Sequence, residues 1–144
     1  MNSRPRSIAM FVAALAAFGI VGGCGGDAGL VEVTGTVTYQ GQPVADANVL
    51  FQPEVGPPAT GQTDSQGGFT LNTGGRPGAS FGPSQVAVTA FEDVRTVEPS
   101  EADPEGYSEV RSLIPEKYAN MGSSPLTAEV IRGETNHFDF ELTD

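Results

Sequence analysis

A single cysteine is the residue of this chain with the most distinctive chemistry. Cys24 is the only thiol among 144 residues, so no disulfide can form within the chain. It directly follows Val21, Gly22 and Gly23, which close an apolar run. The role of this cysteine must therefore come from the segment that precedes it.

The first 23 residues have the layout of an export signal. Arg4 and Arg6 precede an apolar run from Ile8 to Val21. About 20 apolar residues are needed to cross a bilayer, so this shorter run does not predict a membrane span. Val21-Gly22-Gly23-Cys24 resembles the lipobox of bacterial lipoproteins, in which the cysteine thiol receives a diacylglyceryl group. The resemblance implies cleavage before Cys24 and lipid attachment there, and the alternative is an ordinary signal peptide with an incidental cysteine.

A short tether would join such a lipid to the folded domain. Residues 24–30 contain three glycines and predict a flexible linker. The sorting pattern of some two-membrane bacteria keeps lipoproteins with Asp after the cysteine inside, so Gly25 favours the outer membrane. The domain would then face the periplasm or the cell surface. A diacylglyceryl group on the thiol and an acyl chain on the amino terminus would supply more than one fatty chain. At ~0.8 kcal/mol per buried methylene, these chains suffice for stable anchoring.

His137 is the only histidine and the first candidate for acid–base chemistry. A single histidine, with no second cysteine, excludes a zinc site built from several such ligands. No nucleophile motif of the G-x-S-x-G type accompanies it. His137 stands at the start of an alternating segment, Asn136 to Leu142, so an ordinary strand-end residue is the favoured interpretation and a general base the alternative.

Carboxylates concentrate between Glu92 and Glu109, where seven acidic residues accompany one arginine. Such oxygen donors suit calcium, but the ligand spacing of a known calcium loop is absent. Two prolines and few aliphatic side chains instead predict a long solvated or partly disordered loop. Asp64 could also bind a metal, but Asp at the head of a turn usually accepts a hydrogen bond from the backbone amide two residues later. We therefore predict no metal, no cofactor and no catalytic site.

The charge of the chain limits its partners. Removal of the signal, with Arg4 and Arg6, leaves five basic residues against eighteen acidic ones, a net charge of −13. Phosphate binding needs a basic face, so nucleic acid is not an expected partner, and anionic lipid is equally disfavoured.

Alternation of apolar and polar side chains predicts strands after the tether. The predicted strands are Val31–Tyr39, Ala47–Gln52, a short one near Thr60–Thr63, one resuming at Phe69 and Leu71, Gln85–Phe91, Leu126–Ile131 and Asn136–Leu142. Gly, Pro, Asn and Asp predict turns or loops at Gln40–Pro43, Pro53–Thr60, Asp64–Gly68 and Gly74–Gly78. We expect the last two strands to pair as a hairpin across Arg132–Thr135, with Phe140 in the core against Phe69 or Val88.

Two strings in this region resemble a known family. V-x-G-x-V-x-Y-x-G-x-P-V-x-x-A-N-V-x-F followed by T-D-x-x-G-x-F-x-L is similar to the carboxypeptidase regulatory-like domain of the transthyretin-like superfamily, as found in small bacterial surface lipoproteins. The residues that carry the match are Val33, Gly35, Val37, Gly41, Pro43, Val44, Ala47, Val49, Thr63, Asp64, Gly67 and Phe69. The segment from Leu113 to Leu142 is similar to the end of such lipoproteins. The resemblance implies an all-β, seven-stranded Greek-key sandwich without a catalytic centre.

A related enzyme class is excluded by its residues. The hydroxyisourate hydrolases share the transthyretin-like fold, but they use several His and Arg residues and end in Tyr-Arg-Gly-Ser. This chain has one histidine and ends Glu141-Leu142-Thr143-Asp144. The hydrolase residues thus have no positions in this sequence.

These observations predict the organisation and the function class. We expect a signal peptide over residues 1–23, a lipidated cysteine and tether over 24–30, and one β-sandwich domain over 31–144. The favoured function is a non-enzymatic, lipid-anchored envelope protein that serves as a structural module or binds another envelope protein. The alternative is a small-ligand binder for carbohydrate or calcium, although a chain with no Trp and three Tyr offers few aromatic platforms for sugars.

Overall fold

Strands form nearly all the regular structure in the computed structural model, which describes residues 29–102 and 107–144. In chain order they are β1 Leu30–Val31, β2 Val33–Tyr39, β3 Gln42–Pro43, β4 Asn48–Pro53, β5 Ala59–Gln62, β6 Gly68–Thr70, β7 Asn72–Thr73, β8 Arg76–Pro77, β9 Ala79–Ser80, β10 Gly82–Thr89, β11 Phe91–Val97, β12 Tyr107–Ser112, β13 Thr127–Val130 and β14 Asn136–Leu142. A single 3₁₀ turn, Glu116–Tyr118, is the one helical element of the described chain. The all-β fold class is therefore confirmed.

The strands form two main sheets. Sheet one has the order β13-β10-β4-β5-β7-β8, and all its neighbours are antiparallel. In sheet two, β14 pairs in parallel along the whole length of β2. Because that pairing occupies one edge of β2, the antiparallel partners β6 and β3 share the other edge. Two short pairs, β1 with β9 and β11 with β12, lie outside these sheets.

The core lies between the inward faces of the two sheets. Alternate residues of β2, β4, β10, β13 and β14 are buried, as the period-two pattern predicts. Phe51 of sheet one contacts Phe138 and Phe140 of sheet two, with ring centroids 5.8 and 6.0 Å apart. Phe69 stacks on Phe140 at 6.2 Å. The prediction that Phe140 packs against Phe69 is confirmed.

A glycine makes the close approach of these aromatic rings possible. A Cβ added at Gly35, in the middle of β2, would lie 2.2 Å from the Phe138 carbonyl oxygen and 2.5 Å from Phe69 Cζ. Only a residue without a side chain fits between a neighbouring backbone and a packed ring. Steric contact therefore requires glycine at position 35, since the Phe69 ring occupies the place where a side chain would lie.

The predicted closing hairpin is wrong. β13 pairs with β10 in sheet one, whereas β14 pairs with β2 in sheet two, so the chain crosses between the sheets after Val130. Asn136 holds this crossing: its Oδ1 accepts from the Ile131 amide at 2.8 Å, and its Nδ2 donates to the carbonyls of Ile131 and Glu134. Each strand has one buried face, as predicted. The two buried faces belong to different sheets and face each other across the core.

The predicted loop from Glu92 to Glu109 is also wrong over half of its length, residues 92–97 and 107–109. β11 and β12 pair as an antiparallel hairpin, with an irregularity between Asp93 and Arg95. Residues 103–106 lie outside the described part of the chain. The hairpin forms because a backbone ladder tolerates charged side chains when they are solvated or paired across the strands, as Glu92 is with Arg111. The predicted loop at Gly74–Gly78 likewise contains β8, which pairs with β7 just before the loop.

Candidate functional site

The predicted lipid-attachment residue, Cys24, lies outside the described residues, as do the signal segment 1–23 and most of the tether. The described chain begins at Gly29, next to β1. Within that described part, the structure has no helix with the length and apolar character needed to span a membrane. Lipid attachment at Cys24 therefore stays a prediction.

His137 forms a hydrogen-bonded row with residues of β2 and β14. Its Nδ1 lies 3.0 Å from Thr34 Oγ1, and its Nε2 lies 3.2 Å from Asp139 Oδ1. Thr36 donates a second hydrogen bond to Asp139. A hydroxyl, an imidazole and a carboxylate thus occur in the order found in nucleophilic hydrolases.

The strand register alone explains this row. Thr34 lies opposite His137, and Thr36 lies opposite Asp139, on the outward face of sheet two. The side chains of His137 and Asp139 are 48% and 72% exposed, so water is not excluded from them. The Thr36 hydrogen bond, and secondarily the nearby imidazole, lower the pKa of Asp139. The interpretation of His137 as an ordinary strand-end residue accounts for every contact that it makes here.

The buried hydroxyl of Ser84 also lacks the neighbouring base that a catalytic serine needs. Within the described chain, Ser84 Oγ is inaccessible to solvent and has no hydrogen-bond partner. Ser84 lines a cavity of about 600 Å³ together with Gln52, Pro53, Ala128 and Phe138 among others. A serine becomes a nucleophile when an adjacent base takes its proton. Since no base of the described residues is within hydrogen-bond distance of Ser84, this cavity offers no activated nucleophile.

Asp64 has the structural role predicted for it. Its Oδ1 accepts hydrogen bonds from the amides of Gln66 and Gly68 at 2.8 and 2.9 Å. Its backbone amide donates to the Gly68 carbonyl, and Gly67 has a positive φ of 76°. The carboxylate thus closes the turn that leads into β6, and the predicted hydrogen bond two residues on is confirmed.

The described carboxylates do not converge on a common point. Among residues 29–102 and 107–144, no group of three or more His, Cys, Asp or Glu side chains is placed to hold a metal ion. Glu92 is paired with Arg111, and Glu98 and Glu101 are exposed. Asp103 and Glu105 lie outside the described residues.

The β11–β12 hairpin carries the most unusual surface of the described chain. Phe91, Val94, Val110 and Leu113, hereafter the hairpin patch, are 56%, 51%, 58% and 37% exposed. Neither strand of the hairpin pairs with a main sheet in the described chain, so each has an outer edge with unused backbone groups. The sequence did not lead us to predict this surface, because seven carboxylates dominate the composition of residues 92–109. The available signal was the presence of aromatic and β-branched residues such as Phe91, Val94 and Val110 in and beside this acidic segment.

A groove lies at the base of this hairpin. It has a volume of about 390 Å³ and is lined by Phe91, Glu92 and Leu113 from the hairpin and by the segment around β3, including Tyr39 and Pro43. The Tyr39 hydroxyl donates to Asp144, and this hydrogen bond raises the pKa of Tyr39. Tyr39 therefore presents its ring to the groove with a hydroxyl that is already hydrogen-bonded.

Charge surrounds the hairpin patch. Glu92, Asp93 and Glu109 lie in the same ladder as Phe91 and Val110, and Glu92 pairs with Arg111. The chain as a whole carries −11. An apolar surface bordered by carboxylates fits a partner with apolar and basic side chains.

Comparisons with known proteins do not identify a family for this chain. No protein-family model and no curated protein matches it. One solved structure, a 9R-lipoxygenase from Cyanothece PCC8801, matches 80% of this chain with a TM-score of 0.33 and 16% sequence identity. The match covers 16% of the lipoxygenase chain, and a similarity at this level carries no argument about function.

Proposed function

We propose that this protein is a non-enzymatic, lipid-anchored component of the cell envelope whose β-sandwich serves as a structural or protein-interaction module. The hairpin patch is the observation that carries the proposal. Large apolar side chains that are exposed singly are ordinary, but four of them on one hairpin outside the main sheets mark an interaction surface. The protein acts by holding a partner near the membrane.

The sandwich is proposed to be a seven-stranded Greek-key domain of the carboxypeptidase regulatory-like type. The positions of the resembling residues support this assignment. Val33, Gly35 and Val37 occupy β2, Asp64 closes a turn, and Phe69 packs in the core. The resemblance implies a domain without a catalytic centre, which accords with a histidine row explained by strand register.

The anchor is proposed to be a lipid on Cys24, with residues 1–23 as the removed signal. Support comes from the sequence: two arginines, an apolar run, small residues and the single cysteine stand in the order of a lipoprotein signal. Gly25 favours the outer membrane, with the domain on its periplasmic or outer surface.

The partner is proposed to be another envelope protein that adds an extended segment to the hairpin. Addition of a strand would use the outer edge of β11 or β12, and the affinity would come from main-chain hydrogen bonds. Apolar side chains of the partner would cover Phe91 and Val110, and its basic side chains would suit the negative charge of this chain.

Site-specific photo-crosslinking in intact cells tests this function. A photoreactive residue at Val110 should trap one protein, and Phe91→Ser should abolish that product because it removes the apolar neighbour. The matched control is the same probe at Glu141, which is exposed on the outward side of β14 and should trap nothing. Peptides trapped at Val110 should contain basic residues. Equal trapping at both positions, or trapping that survives Phe91→Ser, would contradict the proposal.

A small-ligand binder is the second candidate, and the groove at the hairpin base favours it. Tyr39 and Phe91 both line that groove, and aromatic faces of this kind bind sugars. Titration calorimetry with envelope glycans tests the candidate. Saturable binding that Tyr39→Ala removes would favour a carbohydrate site over a protein partner.

A further inference from the structure

Among residues 29–94, 98–102 and 109–144, whose side chains the structure describes, all seven exposed large apolar side chains lie near the two ends of β10. Four of them form the hairpin patch at its C-terminal end. The other three, Val55, Phe81 and Ile131, are 82%, 50% and 43% exposed and lie near its N-terminal end. The sides of the sandwich therefore carry none of the large apolar side chains in this exposed set.

Contacts of neighbouring residues place Val55, Phe81 and Ile131 together at the N-terminal end of β10. Gly82, directly after Phe81, lies opposite Val130, so Ile131 follows at the same end. The Glu54 amide donates to the Pro83 carbonyl, and a Cβ at Gly56 would lie 2.5 Å from Ser80 Oγ, which brings the loop with Val55 to this end too. The Arg132 guanidinium covers the Phe81 ring at 4.2 Å. We name Val55, Phe81, Ile131 and Arg132 the anchor-end patch.

The chain enters the described structure at this same patch. A Cβ at Gly29 would lie 3.0 Å from an Arg132 nitrogen and 3.1 Å from a Phe81 ring carbon. Five residue steps separate Gly29 from Cys24, and at ~3.6 Å per step the chain between them spans at most about 18 Å. A lipid on Cys24 would therefore hold the anchor-end patch within reach of the lipid headgroups.

We propose that the anchor-end patch rests in the headgroup layer of the membrane that holds Cys24, which makes it a second, non-covalent membrane contact. The inference rests on the proposed lipid anchor. Phe and aliphatic side chains insert at the boundary between headgroups and acyl chains, and an arginine beside them keeps its charge in contact with water. Val55 and Ile131 would insert beside Phe81.

The same geometry orients the molecule. Phe81 and Phe91 are ten residues apart along β10 and its extension, which at ~3.3 Å per residue corresponds to roughly 30 Å. With the anchor-end patch on the lipid, the hairpin patch points away from the membrane, where a partner can reach it. Glu54 and Glu134 flank the anchor-end patch in sequence, so the contact should form on neutral lipid and should gain nothing from anionic lipid.

Chemical coupling tests the contact independently of lipidation in cells. The chain from Cys24 to Asp144 contains every described strand, and its single thiol couples to a maleimide lipid in phosphatidylcholine vesicles. The chain has no Trp, so Phe81→Trp adds one fluorophore that can still stack with Arg132. On coupling, its emission should shift to shorter wavelength and should be quenched by lipids with brominated acyl chains. Val55→Trp, in the exposed loop, should behave in the same way.

Two controls make the result decisive. Phe91→Trp, as exposed but at the other end of β10, should be neither shifted nor quenched. Phe81→Trp with Cys24 blocked by N-ethylmaleimide should not respond to the vesicles. Absence of quenching in both the Phe81→Trp and the Val55→Trp variants after coupling, or equal quenching of Phe91→Trp, would overturn the proposal. A shift of Phe81→Trp without quenching by brominated lipid would indicate a second copy on the patch and would also overturn it.

Discussion

Phe140 and Glu141 are neighbours on β14, and strand alternation predicts very different effects of their substitution on the free energy of unfolding. Phe140 is 7% exposed and contacts Phe51 and Phe69, whereas Glu141 faces solvent. Phe140→Ala should cost ~3–5 kcal/mol in the free energy of unfolding, because it leaves a cavity between the sheets. Glu141→Ala should cost under about 0.5 kcal/mol. Chemical denaturation measures both values, and equal costs would show that the two faces of β14 have been misassigned.

Gly35 provides a second test of the core. Gly35→Ala should destabilise the protein by about 1–3 kcal/mol, because the added Cβ would overlap the Phe138 carbonyl and the Phe69 ring. Gly122→Ala is the matched control, since that position has open space and no positive φ. Its effect on the midpoint of thermal unfolding should be near zero. A tolerated alanine at Gly35 would mean that Phe69 does not cover β2.

At the element scale, alternation predicted which side chains are buried but not which strands are neighbours. The burial patterns of β13 and β14 are compatible with a hairpin and also with two facing sheets, since both arrangements bury the same residues. The pairing partners distinguish the two arrangements, since β13 pairs with β10 and β14 pairs with β2. Those pairings join residues that are far apart in the chain, so no local pattern shows them.

The candidate sites divide in the same way. Cys24 is indicated by the sequence alone, because a signal is a linear feature, while the hairpin patch required the structure. In residues 92–109 the carboxylates concealed β-branched and aromatic residues whose pairing partner lies across the hairpin. Local composition favours disorder there, and a ladder between distant residues overrides it.

The acidic hairpin leads to a prediction about calcium. A real site would stabilise the protein by ~2.7 kcal/mol at a hundredfold excess of ligand over Kd, which would raise the midpoint of thermal unfolding by several degrees. We expect no such rise at millimolar calcium, because Glu92 is paired with Arg111 and the described carboxylates do not converge. Calorimetric scans with calcium and with magnesium as the control measure this. A rise specific to calcium would favour a ligand-binding function.

At the scale of the whole molecule, the two ends of β10 have different tasks in the proposed orientation. The end beside Gly29 faces the lipid, and the end with the hairpin patch faces a partner. The sides between them present polar rows such as Thr34, Thr36 and Asp139, whose hydrogen bonds run along the outward face of sheet two. In this orientation the protein would hold a partner near the membrane, and the orientation depends on the attachment of a lipid to Cys24.

Lipid attachment at Cys24 is therefore the most direct test of this account. Cells that express the protein would be fed an alkyne fatty acid, and the mature N-terminus would be determined by mass spectrometry. We predict a labelled, membrane-bound chain that begins at Cys24, and for Cys24→Ala an unlabelled chain that is not cleaved at this site. Equal labelling of Cys24→Ala, or an unlabelled wild-type chain with a different N-terminus, would contradict the account.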